Sequence, residues 1–296
     1  MADVQTSEIP LHIVDAFASQ PFRGNPAAVC LLPQVQPDAW LQNVAAEMNL
    51  SETVFLYPEA TGQLRIRWFT PAVEVDLCGH ATLAAAHVLQ QLHSSGELPA
   101  AYAAARQGGC WTFESRSGQL TAEPAGSGIT LDFPATSVEP SDIPGGLVEA
   151  LGLSADQIQF CGRTRFDLLL KVPDAATVRR LVPNFSALAQ LPVRGVIVTA
   201  LGDAADHDFI SRFFAPASGV PEDPVTGSAH CALAVFWAPE FGRATLFGYQ
   251  ASRRGGHVRM ELHGDRVRLS GKAFTFLRGT LTDRSTASTP HSGKSA

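Results

Sequence analysis

Charge is scarce in this chain: Asp, Glu, Lys and Arg make up 17% of its 296 residues, and the basic ones stand singly or in pairs such as Arg179-Arg180 and Arg253-Arg254. With a formal net charge of -6 and no basic stripe to neutralise phosphates, nucleic acid is not an expected partner. Long apolar runs are missing too. The best candidate, Ala81 to Leu92, is broken by His87, Gln90 and Gln91 and falls short of the roughly 18 residues that span a bilayer, so no membrane role is expected. Met1 to Pro10 has neither the basic nor the apolar stretch of a secretory signal, which makes the cytoplasm the expected compartment. No Cys-x-x-Cys pair occurs among the five widely spaced cysteines, Cys30, Cys78, Cys110, Cys161 and Cys231, so reduced thiols rather than zinc or disulfides are expected. The body has no long polar tract. Only residues 283–296, mostly Ser, Thr, Gly and Pro, read as a flexible tail.

What is present is apolar: 45% of the residues, enough for two ordinary cores. His12 to Phe17 and Ala27 to Leu32, separated by turn formers, read as a β-hairpin. Asp38 can cap a helix running to about Met48, followed by strands at Thr53–Tyr57 and Leu64–Thr70, and then a buried, Ala/Leu-rich helix over Ala81–Leu92. The second half repeats this plan. Trp68-Phe69-Thr70-Pro71 followed by Gly79-His80-Ala81 matches Phe213-Phe214-Ala215-Pro216 followed by Gly227-Ser228-Ala229, and each pair leads into a small-residue helix. A duplicated lobe is the economical explanation. The expected division is an N-terminal lobe over 1–124, to which the strand near 272–282 returns, and a C-terminal lobe over 125–271. Gln119–Pro144, with its Gly126-Ser127-Gly128, suits a crossover between them.

Both repeats put a glycine at a helix start, where free N–H groups and the helix dipole suit an anion. The alternative is that these glycines merely allow a tight turn. If the lobes face each other, the helix starts at Gly79 and Gly227 converge on one cleft and hold a carboxylate. Beside these turns lie the titratable candidates. Asp223, held extended by Pro224, reads as a proton-orienting group or as an ordinary turn carboxylate. His80 reads as a proton relay or as a structural histidine, and Cys78 as a thiol base at a helix start or as a small buried residue. Read locally, Glu52 is a solvated glutamate unless the apolar run after it buries it and raises its pKa. His87, His93, His230 and Cys231 match no zinc spacing, so no metal is expected.

The chain resembles the PhzF-like, phenazine-biosynthesis family in four ordered motifs. These are Asp15-Ala16-Phe17 with Phe22-Arg23-Gly24-Asn25-Pro26-Ala27-Ala28-Val29; Asn49-Leu50-Ser51-Glu52-Thr53-Val54-Phe55; Phe69-Thr70-Pro71 with Cys78-Gly79-His80-Ala81-Thr82; and Phe214-Ala215-Pro216 with Glu222-Asp223-Pro224-Val225-Thr226-Gly227-Ser228-Ala229-His230. The resemblance implies an α+β, diaminopimelate-epimerase-like fold of two pseudo-symmetric lobes, each a curved sheet or barrel around a central helix, and a homodimer. It also implies a cofactor-independent isomerase. Glu52 would carry a proton across a dihydro-hydroxyanthranilate-like substrate, helped by His80 and Asp223, while Gly227 and Ser228, with Ser51, Cys78 and Gly79 close by, hold the carboxylate. Two other readings stay open: an amino-acid racemase or epimerase using Cys78 and a second base, with Thr226 standing where a second thiol is absent, and a non-catalytic binding protein on the same fold.

Overall fold

Alternation of apolar residues on either side of a turn builds the antiparallel pair Glu8–Ala16 (β1) and Asn25–Leu31 (β2), as expected of the hairpin. The computed structural model describes residues 8–282, and the tail read from the sequence lies outside the described residues. Asp38–Met48 (α1) follows, with Asp38 in its first turn bonded to Arg67 rather than capping. It leads to Glu52–Pro58 (β3), parallel to β2, then to Leu64–Phe69 (β4) and the two-residue Glu74–Val75 (β5). Gly79–Ser95 (α2) is buried over most of its length by its run of alanines and leucines. Ala100–Ala103 (α3) and Arg106–Gln107 (β6) connect it to Cys110–Ser115 (β7), Gly118–Ala125 (β8) and Gly128–Pro134 (β9). The stretch expected as a crossover is therefore a hairpin: Gly126 takes a positive φ at its turn, Pro124 lies inside β8, and β9 pairs back onto β8.

The second half starts with Glu139–Pro140 (β10) and Leu147–Ala150 (α4). Phe160–Arg163 (β11) and Asp167–Lys171 (β12) come next, then Ala175–Arg180 (α5) and Phe185–Leu188 (α6). Gly195–Leu201 (β13) and Phe209–Phe214 (β14) precede Gly227–Phe241 (α7), and Thr245–Gln250 (β15), Gly256–His263 (β16) and Arg266–Thr282 (β17) complete it. The duplication is visible in the pairing senses. From β1 to β9 the neighbours β1–β2, β2–β3, β3–β4, β4–β7, β7–β8 and β8–β9 run antiparallel, parallel, antiparallel, parallel, antiparallel, antiparallel. The series β11–β12, β12–β13, β13–β14, β14–β15, β15–β16 and β16–β17 repeats that order.

β17 belongs to both halves. Its first part pairs with β16 on one side and β9 on the other, and its later part, from Ala273, pairs with β1. This closes β1, β2, β3, β4, β7, β8, β9 and β17 into a ring of eight strands. Eight strands ordinarily enclose only side chains. Here the β4–β7 seam is paired over just two rows, Leu64↔Phe113 and Arg65↔Glu114, and the small residues of α2 let a helix occupy the interior. α7 holds the same place against β15, β16 and β17 of the second half, and one core cluster runs through both halves. Outer helices cover the opposite faces: α1 over β2 and β3, and α4, α5 and α6 over β12, β13 and β14.

Candidate functional site

The starts of α2 and α7 meet. A Cβ added to Gly79 would lie 3.7 Å from the Cα of Gly227, and one added to Gly227 would lie 3.7 Å from the Cα of Gly79. Neither helix is capped by a side chain: Cys78 and Thr226 sit in extended backbone at the two N-cap positions without a capping hydrogen bond. Two sets of first-turn N–H groups and two dipole ends therefore open on one spot, which is the convergence expected from the repeat.

Around that spot the structure gathers the titratable residues. Glu52 opens β3, His80 is the second residue of α2, and their Oε2 and Nε2 atoms are 3.1 Å apart. The two atoms are buried without a well-formed hydrogen bond. Burial of Glu52 itself is incomplete, with 16% of its side chain exposed, so the local reading of a fully solvated surface glutamate does not hold. Asp223 enters from the other half. Its N–H donates to Phe213 O, Thr226 Oγ1 donates to its Oδ2 at 2.5 Å, and Asn25 Nδ2 donates to its Oδ1 at 2.7 Å. The same Asn25 nitrogen lies 3.1 Å from His80 Nδ1 and donates to Val225 O at 3.0 Å. Because Asp223 and Val225 both present acceptors, the Asn25 NH2 group must face them. When the His80 ring is neutral, its proton then lies on Nε2, towards Glu52.

The electrostatics follow from burial and neighbours. Burial, with the charge of Glu52 next, pushes the Cys78 thiol up to about 11, so it is a thiol at neutral pH. Burial alone would lower His80, but the neighbouring Cys78 and Glu52 groups outweigh this and raise it. Burial raises Asp223 to about 6, against the opposing pull of His80. Two residues here were not singled out from the sequence. Asn25 is fully buried and joins the halves, and Gln250, equally buried, accepts from Thr226 N and donates to Asp223 O. Asn25 lies within one of the motifs read above. Gln250 carries no local signal.

Ser51 precedes Glu52 and is partly buried, and Ser228 is exposed at the second residue of α7, where its Oγ accepts from Arg194 Nη2 at 3.0 Å. Glu52, Cys78 and His80 are grouped closely enough to invite a metal. Cys78 Sγ lies 3.5 Å from Nδ1 while Glu52 flanks Nε2, so thiol and carboxylate address opposite nitrogens of one ring. Two of the other histidines weighed above have structural partners: His87 Nε2 is 3.1 Å from Thr275 Oγ1, and His230, lowered by burial to about 4, is neutral with Nδ1 against Thr226 O, while His93 is exposed. Two surface clefts lie elsewhere, one lined by Phe17, Arg23 and Tyr249, the other by Asp38, Tyr57 and Arg67, and neither touches Glu52, His80 or Asp223. No helix among the described residues is long and apolar enough to cross a membrane.

Residues 14–279 match the family model described as phenazine biosynthesis-like protein, PhzC-PhzF. The chain is 48% identical to an uncharacterized isomerase of Halalkalibacterium halodurans, over 92% of this chain and 98% of that one. It is similar in structure to a phenazine biosynthesis protein of the PhzF family from Enterococcus faecalis, with a TM-score of 0.84 and 41% identity over 93% of this chain and 99% of that one. A predicted epimerase from Pseudomonas aeruginosa is similar at a TM-score of 0.70 and 25% identity, over 93% and 99% of the two chains.

Proposed function

We propose, since the chain belongs to the phenazine biosynthesis-like PhzC-PhzF family and is an isomerase, that it shifts a proton within a small cyclic or unsaturated carboxylate resembling dihydro-hydroxyanthranilate. The observation that carries this reading is the buried pair Glu52 Oε2 and His80 Nε2, 3.1 Å apart and with no other partner, beside two facing, uncapped helix starts. Glu52 takes a proton from one ring carbon while the C–H electron pair moves into conjugation, then returns the proton to a carbon further along, so substrate and product have the same composition. His80 holds the carboxylate of Glu52 in place and stabilises its charge, and Asp223, near 6, tunes His80 through Asn25. The substrate carboxylate sits at the N–H groups opening α2 and α7, with Gly79, Gly227, Ser228, Ser51 and Cys78 around it. The working unit in this reading is a homodimer in the cytoplasm.

Epimerisation by two thiols has less support. Cys78 is a thiol at neutral pH, and its counterpart Thr226 donates its hydroxyl to Asp223. A purely binding role does not fit an isomerase.

Turnover of dihydro-hydroxyanthranilate in deuterated water, followed by mass spectrometry, tests the reading. Isomerised product carrying solvent deuterium with the wild type, lost in Glu52→Gln at unchanged thermal stability, is expected. Equal turnover by Glu52→Gln would remove Glu52 from the mechanism.

A further inference from the structure

The duplicated lobes place equivalent residues against the two helix starts, and the equivalents differ in charge. In the first half Thr53 pairs with Phe69 across β3 and β4, and in the second Val196 pairs with Phe214 across β13 and β14. Phe69 and Phe214 are repeat partners in the sequence, so Glu52 corresponds to Gly195 and Ser51 to Arg194. Likewise Gly79 corresponds to Gly227, and His80 to Ser228. In the first half the residue after the helix glycine, His80, contacts Glu52 at the start of β3. In the second half the residue after the helix glycine, Ser228, contacts Arg194, the residue just before β13. An anion stands beside one helix start and a cation beside the other.

Arg194 is fixed for this role. Its Nε donates to Asp167 Oδ1 at 2.8 Å and its Nη2 to Asp167 Oδ2, with Asp167 itself buried. Its guanidinium lies 5.2 Å from the Phe166 ring centre and 5.7 Å from that of Phe213. Among the described residues, Nε and Nη2 carry all of its side-chain hydrogen bonds. A serine hydroxyl that accepts from a guanidinium has its own proton free to donate elsewhere. Ser228 follows Gly227, where the two helix starts meet, and is exposed at the opening of α7.

We propose that Arg194 is the positioning residue of a carboxylate subsite: by holding Ser228 Oγ as an acceptor it aims the Ser228 hydroxyl proton at an anion seated between Gly79 and Gly227. The lobes then divide the work, with the first half moving protons and the second holding charge. This deepens the reading above and rests on a carboxylate being the substrate group.

Benzoate and its neutral isostere benzamide separate the possibilities without knowledge of the substrate. Each is titrated into the full chain at constant ionic strength, with the amide 1H–15N signals of Gly79, Gly227 and Ser228 followed by NMR. The expected result is a saturable response to benzoate, a dissociation constant about tenfold higher in Arg194→Gln, partial recovery in Arg194→Lys, and no change in the benzamide response. Ser228→Ala, which leaves the Arg194–Asp167 pair in place, should weaken benzoate to a similar degree, and the double variant should be no worse than Ser228→Ala alone. Benzoate binding unchanged in Arg194→Gln, or benzoate and benzamide weakened equally, overturns the proposal. So does the absence of any saturable benzoate response in the wild type, whereas the deuterium experiment on Glu52 succeeds or fails independently of it.

Discussion

Asn25 donates to Asp223 at 2.7 Å with the same amide nitrogen that lies 3.1 Å from His80, so one fully buried side chain bridges the two lobes through the groups that titrate. That nitrogen has two protons and faces three acceptors, the third being Val225 O. The bridge holds the His80 ring and the Asp223 carboxylate against one amide.

Asn25→Ala therefore leaves a partly buried carboxylate short of a donor. Urea unfolding should show a loss of about 2–3 kcal/mol, and turnover should fall about a hundredfold or more, the scale of a lost acid/base arrangement. A turnover unchanged from the wild type would mean that His80 and Asp223 need no link across the lobes.

Asp223 makes stability depend on pH in a defined direction. Its carboxyl titrates near 3.8 when unfolded and at about 6 when folded, so between these values the folded state binds more protons. Its contribution is full below about pH 4 and is lost as pH rises through 6, by at most about 3 kcal/mol. Asp223→Asn should remove that slope. Parallel stability curves for the two proteins from pH 4 to 6.5 would show that the carboxyl is not raised.

Cys78 should be slow to react. With its thiol at about 11 and the side chain buried, alkylation by iodoacetamide at pH 7.5 should run at least tenfold slower than that of free cysteine, monitored by mass spectrometry of the intact protein. Cys78→Ser should keep most of the turnover. Complete loss of activity in Cys78→Ser, with activity kept in Glu52→Gln, would point to epimerase chemistry instead.

Gly227→Ala should separate stability from activity. The new Cβ would meet Gly79 Cα and Leu269 Cδ1 at 3.7 Å, which is ordinary contact, and alanine favours helix over glycine. The melting temperature should hold or rise. The methyl group nevertheless occupies the gap between the helix starts, and KM for the carboxylate substrate should rise about tenfold, a loss of about 1.4 kcal/mol in binding. An unchanged KM would place the anion elsewhere.

Much of this arrangement was legible in the sequence because local pattern and local structure agree. The β1–β2 hairpin, α1, and the buried, small-residue helices α2 and α7 follow from alternation and from small-residue runs, and the repeated glycines foretold that two helix starts would meet. What escaped depends on contacts between distant residues. Gly126-Ser127-Gly128 signals a turn in either a hairpin or a crossover, and only the β8–β9 register decides between them. Gln250 and Arg194 are unremarkable in their own segments, and each acquires its place from the start of α7, brought near by the sheet. Glu52 reads as a surface residue until β3 is packed beside α2.

β17 carries a consequence for how the molecule comes into being. The ring of the first lobe is closed by residues 273–282, which pair with β1 at the opposite end of the chain. During synthesis the lobe that begins first is thus completed last: α2 waits in an open sheet, its apolar faces partly uncovered, until the second half has been made through β17. Severing the chain between the lobes would not yield two halves that fold alone, because the first fragment would lack its closing strand and the second would carry that strand without the edge it was shaped to meet.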